Sequence, residues 1–88
     1  MQMTRVLYAG RVQGVGFRFQ VLRLSRRFAV VGHVRNLGDG TVELLVHGSP
    51  DEVARFREAI RAVLEGFIRG ESASAVEAEA FSGFDIAY

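Results

Sequence analysis

The segment from Gly10 to Arg18, GRVQGVGFR, has the residue types of an anion-binding loop. It follows a β-rich stretch and leads into a helical pattern, so its backbone N–H groups lie at the positive end of the helix dipole. Gly14 and Gly16 let the backbone curl so that successive N–H groups face one point, and Arg18 can grip two phosphate oxygens at once. We therefore predict a phosphate cradle that uses neither metal nor lysine. Its candidate residues are Gln13, Gly14, Val15, Gly16, Phe17 and Arg18.

Other glycine-containing loops bind nucleotides or simply make a turn. A dinucleotide-binding fingerprint requires a third glycine at position 19, where this chain has Phe19. A Walker loop requires a lysine followed by serine or threonine, and the chain has no lysine. On spacing alone, a purely structural tight turn remains an alternative. The adjoining Arg18 favours the anion site, because a guanidinium group matches the geometry of phosphate oxygens.

The composition indicates one domain, residues 1–88, and excludes several kinds of chemistry. Of the 88 residues, 49% are hydrophobic, which is enough for a small packed core. All 11 basic residues are arginine, and 10 acidic residues balance them to a net charge of +1. This balance argues against a nucleic-acid partner bound on a broad basic face. Because it has no lysine, the chain cannot form a lysine Schiff base. Because it has no cysteine, it cannot form a disulfide or a thiolate metal site.

No part of the sequence suggests a membrane or secretory protein. No apolar run approaches the ~20 residues that a helix needs to span a bilayer. The N-terminus also lacks the apolar core of a signal peptide. We therefore expect a cytoplasmic protein with no membrane partner.

Hydrophobic periodicity predicts the elements that position the loop. Thr4–Arg11 has the composition of a strand, and the apolar spacing of Phe17–Phe28 predicts a helix. Two strands follow, Val30–Leu37 and Thr41–His47, and the short loop between them places Gly40 in the left-handed conformation.

A second helix has a strong start signal. Ser49 can cap it, Pro50 suits its first position, and Glu52 completes a capping box. An apolar stripe follows, and Gly66 is a plausible end. The stripe comprises Val53, Phe56, Ile60, Val63, Leu64 and Phe67.

The order of the elements predicts the fold class. Residues 67–74 show no clear pattern, residues 75–81 alternate weakly, and Phe84–Tyr88 resembles a last short strand. The resulting order, βαββαβ plus a short C-terminal strand, predicts an α+β, ferredoxin-like split βαβ sandwich. Both helices are expected on one face of an antiparallel sheet.

This fold brings a second polar residue to the loop. The first crossover makes the first two strands parallel, and the third strand lies between them. The first two strands are therefore separated by two strand spacings, about 10 Å. The hairpin register places Val34 opposite Leu44 and Asn36 opposite Val42, so Asn36 lies on the core-facing side at the end of its strand. The loop and Asn36 should therefore meet at one end of the sheet. From its type and position alone, the favoured interpretation of Asn36 is an ordinary strand-end or turn residue.

The open face of the predicted sheet carries His33, His47 and Leu45. The two histidines fall as diagonal neighbours, and two histidines without a third ligand make a poor metal site. We therefore expect no metal and interpret both as solvated surface residues. Leu45 is expected to leave a small apolar spot that could allow self-association.

Three segments of the sequence resemble the acylphosphatase family. GRVQGVGFR at 10–18 matches that family's signature, GHVRNLGDGTVE at 32–43 resembles its second motif, and GFDIAY at 83–88 resembles its last strand. The resemblance implies a ferredoxin-like enzyme that hydrolyses acyl phosphates to a carboxylate and inorganic phosphate without cofactors. It also implies that Arg18 binds the phosphate and that Asn36 orients the attacking water.

The chain departs from the family pattern at two places. Position 33 is histidine where relatives commonly have an aromatic residue, and residues 66–82 lack the family's proline-rich loop and longer final hairpin. The chemistry is compatible with the loop, because a carboxylate leaves without a general acid and the N–H groups suit the charge of the transition state.

One alternative function remains open, and another does not fit the sequence. The first is a module that binds phosphate or carbamoyl phosphate without turnover. The second, an RNA binder, fails because the sheet lacks paired aromatic residues for base stacking. The chain ends at Tyr88 without a further domain, which favours a free-standing enzyme. We also expect a monomer that acts on a small acyl phosphate.

Overall fold

The computed structural model describes residues 1–88 and contains a five-stranded sheet with two helices packed on one face. Numbered in chain order, the strands lie across the sheet in the order 4-1-3-2-5, so the fourth and fifth strands form its two edges. This arrangement confirms the predicted ferredoxin-like α+β fold. The elements are β1 (Gln2–Gly10), α1 (Phe17–Ser25), β2 (Val30–Asn36), β3 (Val42–Gly48), α2 (Pro50–Leu64), β4 (Ile68–Glu77) and β5 (Phe84–Ala87).

The pairing of the strands brings the ends of β1 and β2 to the same end of the sheet. Both strands run antiparallel to β3, which lies between them, so they are parallel to each other. Val34 lies opposite Leu44, and Asn36 lies opposite Val42, as predicted. β4 is antiparallel to β1, whereas β5 pairs in parallel with β2. The complete sheet is therefore mixed rather than wholly antiparallel.

The hydrophobic core lies between the helices and one face of the sheet. Phe17 and Val21 of α1 and Phe56 of α2 pack into one cluster with sheet residues such as Leu44, and none is more than 1% exposed. Burial of each such side chain contributes about 1.5–3 kcal/mol. The predicted stripe of α2 is wrong at Val63, which is 51% exposed because it turns away from the sheet.

Local hydrogen bonds set the limits of both helices. Ser49 Oγ accepts from the Glu52 N–H at 3.2 Å, as the capping box predicts. The Glu52 carboxylate instead accepts from the Ala29 N–H at 2.8 Å and ties α2 to the start of β2. α1 ends at Ser25 rather than the predicted Phe28, because the next N–H groups bond three residues back. Neither helix has the length and apolar character needed to cross a bilayer.

The strand β4 is the element that the sequence pattern does not predict in full. It begins at Ile68, within the unassigned segment, and ends at Glu77, four residues before the predicted limit. Nine of its ten residues have a partner in β1, from Gln2 opposite Glu77 to Gly10 opposite Ile68, and an irregularity at Arg69 shifts the register. As an exposed edge strand of mostly small and polar residues, it is defined by hydrogen bonds to β1 rather than by its own apolar alternation.

The open face of the sheet carries a cluster of charges around Glu43, whose side chain is only 5% exposed. Its carboxylate accepts from Arg5 Nε at 2.7 Å and Arg35 Nε at 2.8 Å, and it lies 2.8 Å from His33 Nε2. Burial alone would raise the pKa of Glu43. The hydrogen bonds from His33, Arg5 and Arg35 outweigh it and hold that pKa below its usual value.

This cluster corrects two expectations for the open face. His33 is not a solvated residue: its side chain is 17% exposed, contacts Glu43 and meets the Phe81 ring edge-on at 5.5 Å. Leu45 is 7% exposed, so the predicted apolar spot is absent. Only His47 is exposed, as expected, and its Nδ1 lies 2.9 Å from the Gln2 carbonyl oxygen.

Candidate active site

The loop that follows β1 is anchored where it begins. The Arg11 N–H donates to the Phe67 carbonyl at 2.9 Å, beside the start of β4. Gly10 has φ +128°, and a Cβ atom there would lie 2.4 Å from the same carbonyl oxygen. Glycine is therefore required at position 10, because no side chain fits between the loop and β4.

Backbone N–H groups in the loop have no partner within the protein. Gly14 and Gly16 adopt left-handed conformations, with φ +76° and +80°, and Gly16 precedes α1 without a side-chain cap. The first-turn N–H groups of α1, at Phe17 and Arg18, cannot bond within the helix. A loop of free N–H groups leading into a helix start is the arrangement of an anion-binding nest. The loop residues whose N–H groups donate to no protein acceptor are Gln13, Gly14, Val15 and Gly16.

Arg18, the second residue of α1, holds an unpaired positive charge beside these N–H groups. None of the ion pairs in the structure includes it. Its guanidinium carbon lies 5.1 Å from the centroid of the Tyr88 ring, a cation–π contact that leaves its N–H donors free. The Arg18 side chain is therefore available to an anionic ligand.

Asn36 lies at the end of β2, on the core-facing side of the sheet. It is opposite Val42, which in turn is opposite Tyr8 of β1. The Asn36 Oδ1 atom is buried and has no hydrogen-bond partner in the protein. A buried acceptor without a partner costs about 1–3 kcal/mol, so this atom indicates a position where a water or a ligand donates.

The Gln13 side chain joins the loop to the β2–β3 hairpin. Its Nε2 donates to the carbonyl oxygens of Leu37 and Thr41, both at 2.8 Å. The structure thus brings the loop next to the residue that follows Asn36, as the predicted crossover requires. From the sequence, only the backbone of Gln13 is expected to take part, because no local pattern reveals a contact to residues 24 and 28 positions away.

Tyr8 of β1 packs in the core next to the start of α1, and the sequence pattern does not indicate it as part of the site. Its ring packs against Phe17 with centroids 5.3 Å apart, and it is fully buried. Its hydroxyl is buried without a partner. Burial, and then the charge of Glu71, raise the pKa of Tyr8, so its hydroxyl stays protonated and cannot act as a base at neutral pH.

The loop and Asn36 form a shallow surface rather than a deep cavity. The concavities of the molecule lie elsewhere, including a groove of about 300 Å³ at the other end of the sheet between Gln2, His47 and Arg57. An anion held by backbone N–H groups needs no deep cavity. No group of three or more His, Cys, Asp or Glu side chains is placed to hold a metal ion.

Comparison with known proteins identifies the family. A family model described as acylphosphatase matches residues 4–86. The acylphosphatase of Methanospirillum hungatei is 35% identical over 79 residues, covering 90% of this chain and 87% of the relative. The acylphosphatase of Thermococcus kodakarensis is 57% identical over 44 residues, and that match spans about half of each chain, 50% and 48%.

A solved structure extends this similarity to the whole chain. The crystal structure of acylphosphatase from Bacillus subtilis superposes with a TM-score of 0.85 at 31% identity, covering 100% of both chains. The signature loop at 10–18 and Asn36 both lie within the residues that the family model matches. By sequence and by fold, the chain belongs to the acylphosphatase family.

Proposed function

We propose that this protein hydrolyses acyl phosphates to a carboxylate and inorganic phosphate. The observation that carries the proposal is the run of unpartnered N–H groups from Gln13 to Gly16, leading into Arg18. It lies in the segment that resembles the acylphosphatase signature. The family match over residues 4–86 supports the same activity.

In this proposal, the loop holds the phosphate group of the substrate. The transition state of phosphoryl transfer is loose and carries its charge on the equatorial oxygens. Preorganised N–H groups and a guanidinium group stabilise that charge without rearranging. The residues that bind the phosphate are Gln13, Gly14, Val15, Gly16, Phe17 and Arg18, with Arg18 contributing the bidentate grip.

Asn36 orients the attacking water in the same proposal. Its buried Oδ1, which has no partner in the protein, accepts a hydrogen bond from the water. The water oxygen attacks phosphorus, the bond between phosphorus and the acyl oxygen breaks, and the carboxylate leaves with the bonding electrons. A phosphate oxygen takes the proton of the water, so the products are a carboxylate and dihydrogen phosphate. No general acid is required, because a carboxylate is stable at neutral pH.

We also propose the oligomeric state, the location and the cofactor requirement of the protein. Residues 1–88 act as one domain, as a monomer in the cytoplasm, on a small substrate, without metal, cofactor or nucleic acid. The near-neutral charge balance supports the expectation that no nucleic acid is bound. Sedimentation at working concentration tests the proposed oligomeric state. We expect a single species of monomer mass, and a dimer would contradict the proposal.

The decisive experiment measures phosphate release from acetyl phosphate by the purified protein. We expect turnover well above the spontaneous rate, and we expect inorganic phosphate to inhibit it as a product that occupies the loop. The Arg18→Ala variant serves as the inactive control. A well-folded protein that binds phosphate but turns over no acyl phosphate would instead be a binding module.

A further inference from the structure

We propose that the Gln13 side chain is a positioning residue that holds Asn36 at a fixed distance from the bound phosphate. The inference rests on the proposed function, because it assumes that the loop binds phosphate and that Asn36 orients water. It assigns to the side chain of Gln13 a role that the backbone N–H group of the same residue does not have.

The hydrogen bonds of Gln13 use its full capacity as a donor. An amide nitrogen carries two hydrogens, and Nε2 of Gln13 lies 2.8 Å from both the Leu37 and the Thr41 carbonyl oxygens. The Thr41 oxygen also accepts from the Leu37 N–H at 2.9 Å, which closes the hairpin. One side chain therefore bonds to both ends of the turn that joins β2 and β3.

These two hydrogen bonds would set the distance between Asn36 and a phosphate bound by the loop. Leu37 directly follows Asn36, so a bond to the Leu37 carbonyl limits the movement of the Asn36 backbone. No other side-chain hydrogen bond links residues 12–16 to residues 36–42. A water must lie about 3–3.5 Å from phosphorus to attack, and a 1 Å misplacement can lower a rate about 10²-fold.

Phosphate binding should depend much less on this contact. The loop residues hold phosphate through backbone N–H groups, and the Arg18 side chain extends from α1. Neither uses the side-chain amide of Gln13. Loss of these two hydrogen bonds should therefore lower kcat while the inhibition constant of inorganic phosphate stays nearly unchanged.

The first test compares Gln13→Met, which keeps the length of the side chain and removes the donor, with the wild-type protein. We expect kcat on acetyl phosphate to fall about tenfold or more, with phosphate inhibition within about twofold of wild type. The control is Gln20→Met on α1, a half-buried glutamine whose side chain makes no hydrogen bond in the protein, and it should match wild type. An unchanged kcat, or an equal loss of phosphate affinity, overturns the inference.

The second test uses Gln13→Glu, which keeps the shape of the side chain and covers the case in which the methionine variant does not fold. An ionised carboxylate cannot donate to the two carbonyls, whereas a protonated one donates a single hydrogen bond. At saturating substrate, kcat of this variant should rise relative to wild type as the pH falls through the range of a carboxyl group. A profile parallel to that of wild type overturns the inference.

The third test asks whether Gln13 acts through Asn36. If it does, Gln13→Met should lower kcat of the Asn36→Ala variant far less than it lowers kcat of the wild type. Equal losses in both backgrounds would place Gln13 in a separate role and overturn the inference. These outcomes differ from failure of the proposed function, in which the wild-type protein itself would not hydrolyse acetyl phosphate.

Discussion

At the scale of single residues, Arg18 offers the most direct test of the proposed phosphate site. We expect Arg18→Ala and Arg18→Lys to lower kcat/KM about 10²-fold or more, because a point charge does not reproduce the bidentate guanidinium grip. The matched control is Arg23→Lys, an exposed arginine on the same helix, which should keep wild-type kinetics. Wild-type turnover by Arg18→Lys would show that charge alone suffices.

Asn36 should separate turnover from binding. Asn36→Ala removes the buried Oδ1 and should lower kcat about 10²-fold, while calorimetry still detects phosphate binding of nearly wild-type affinity. The distinction arises because the loop and Arg18 remain intact in this variant. If phosphate affinity falls in parallel with kcat, Asn36 is a phosphate ligand. A thermal melt of the variant checks that the end of the hairpin still folds.

At the scale of elements, the charge cluster on the open face joins β1, β2 and β3. Glu43 of β3 takes hydrogen bonds from Arg5 of β1 and from Arg35 of β2, and it contacts His33 of β2. Because these contacts hold the pKa of Glu43 below its unfolded value, the cluster stabilises the fold at pH values above the unfolded pKa. That stability is lost as the pH falls through the lowered, folded pKa.

This linkage predicts the behaviour of Glu43→Gln. The variant should be about 1–3 kcal/mol less stable than wild type at pH 7, since three donors lose their anionic acceptor. Its free energy of unfolding should also fall less steeply than that of wild type below about pH 4, measured by urea denaturation across the acid range. The control is Glu79→Gln, an exposed carboxylate without an ion pair, which should keep the wild-type profile. A Glu43→Gln profile that follows wild type in the acid range would mean that Glu43 is not linked to folding.

The hairpin and the position of Asn36 can be predicted from the sequence, whereas β4 and the Gln13 contacts cannot. The alternation of β3 and the short turn at Gly40 fix the hairpin register, and the right-handed crossover then places Asn36 beside the loop. β4 does not follow, because its exposed residues carry little apolar pattern and its limits depend on β1. The Gln13 contacts do not follow either, since they depend on side-chain geometry across the fold.

At the scale of the whole molecule, the fold keeps the proposed chemistry apart from the charge cluster. The loop and Asn36 lie at one end of the sheet on the side of the helices, whereas Glu43 lies on the opposite, open face. In the proposed function, this shallow site would bind the substrate mainly by its phosphate, because the surface gives little enclosure for an acyl group. The leaving group should therefore determine which phosphates react.

We expect the protein to hydrolyse acyl phosphates and to leave simple alkyl phosphate monoesters essentially untouched. Alkoxide is a poor leaving group, and monoester hydrolysis is so slow that enzymes must supply up to ~10²¹-fold acceleration. In the proposed mechanism, N–H groups and one arginine stabilise charge on the equatorial oxygens, and no residue is assigned as an acid that would protonate an alkoxide. A carboxylate needs no such help, so charge stabilisation and a placed water are sufficient.

Phosphate release from acetyl phosphate and from ethyl phosphate, each measured with and without a strong chelator, checks this selectivity. Acetyl phosphate should turn over at the same rate in both conditions, and ethyl phosphate should remain at the background of the Arg18→Ala variant. Comparable rates on the two substrates would require a means of stabilising alkoxide beyond the loop, Arg18 and Asn36. Chelator-sensitive turnover would require a bound metal ion, although no cluster of three His, Cys, Asp or Glu side chains is placed to hold one. The dependence on leaving group thus tests whether a cradle and a water are the whole of the catalytic machinery.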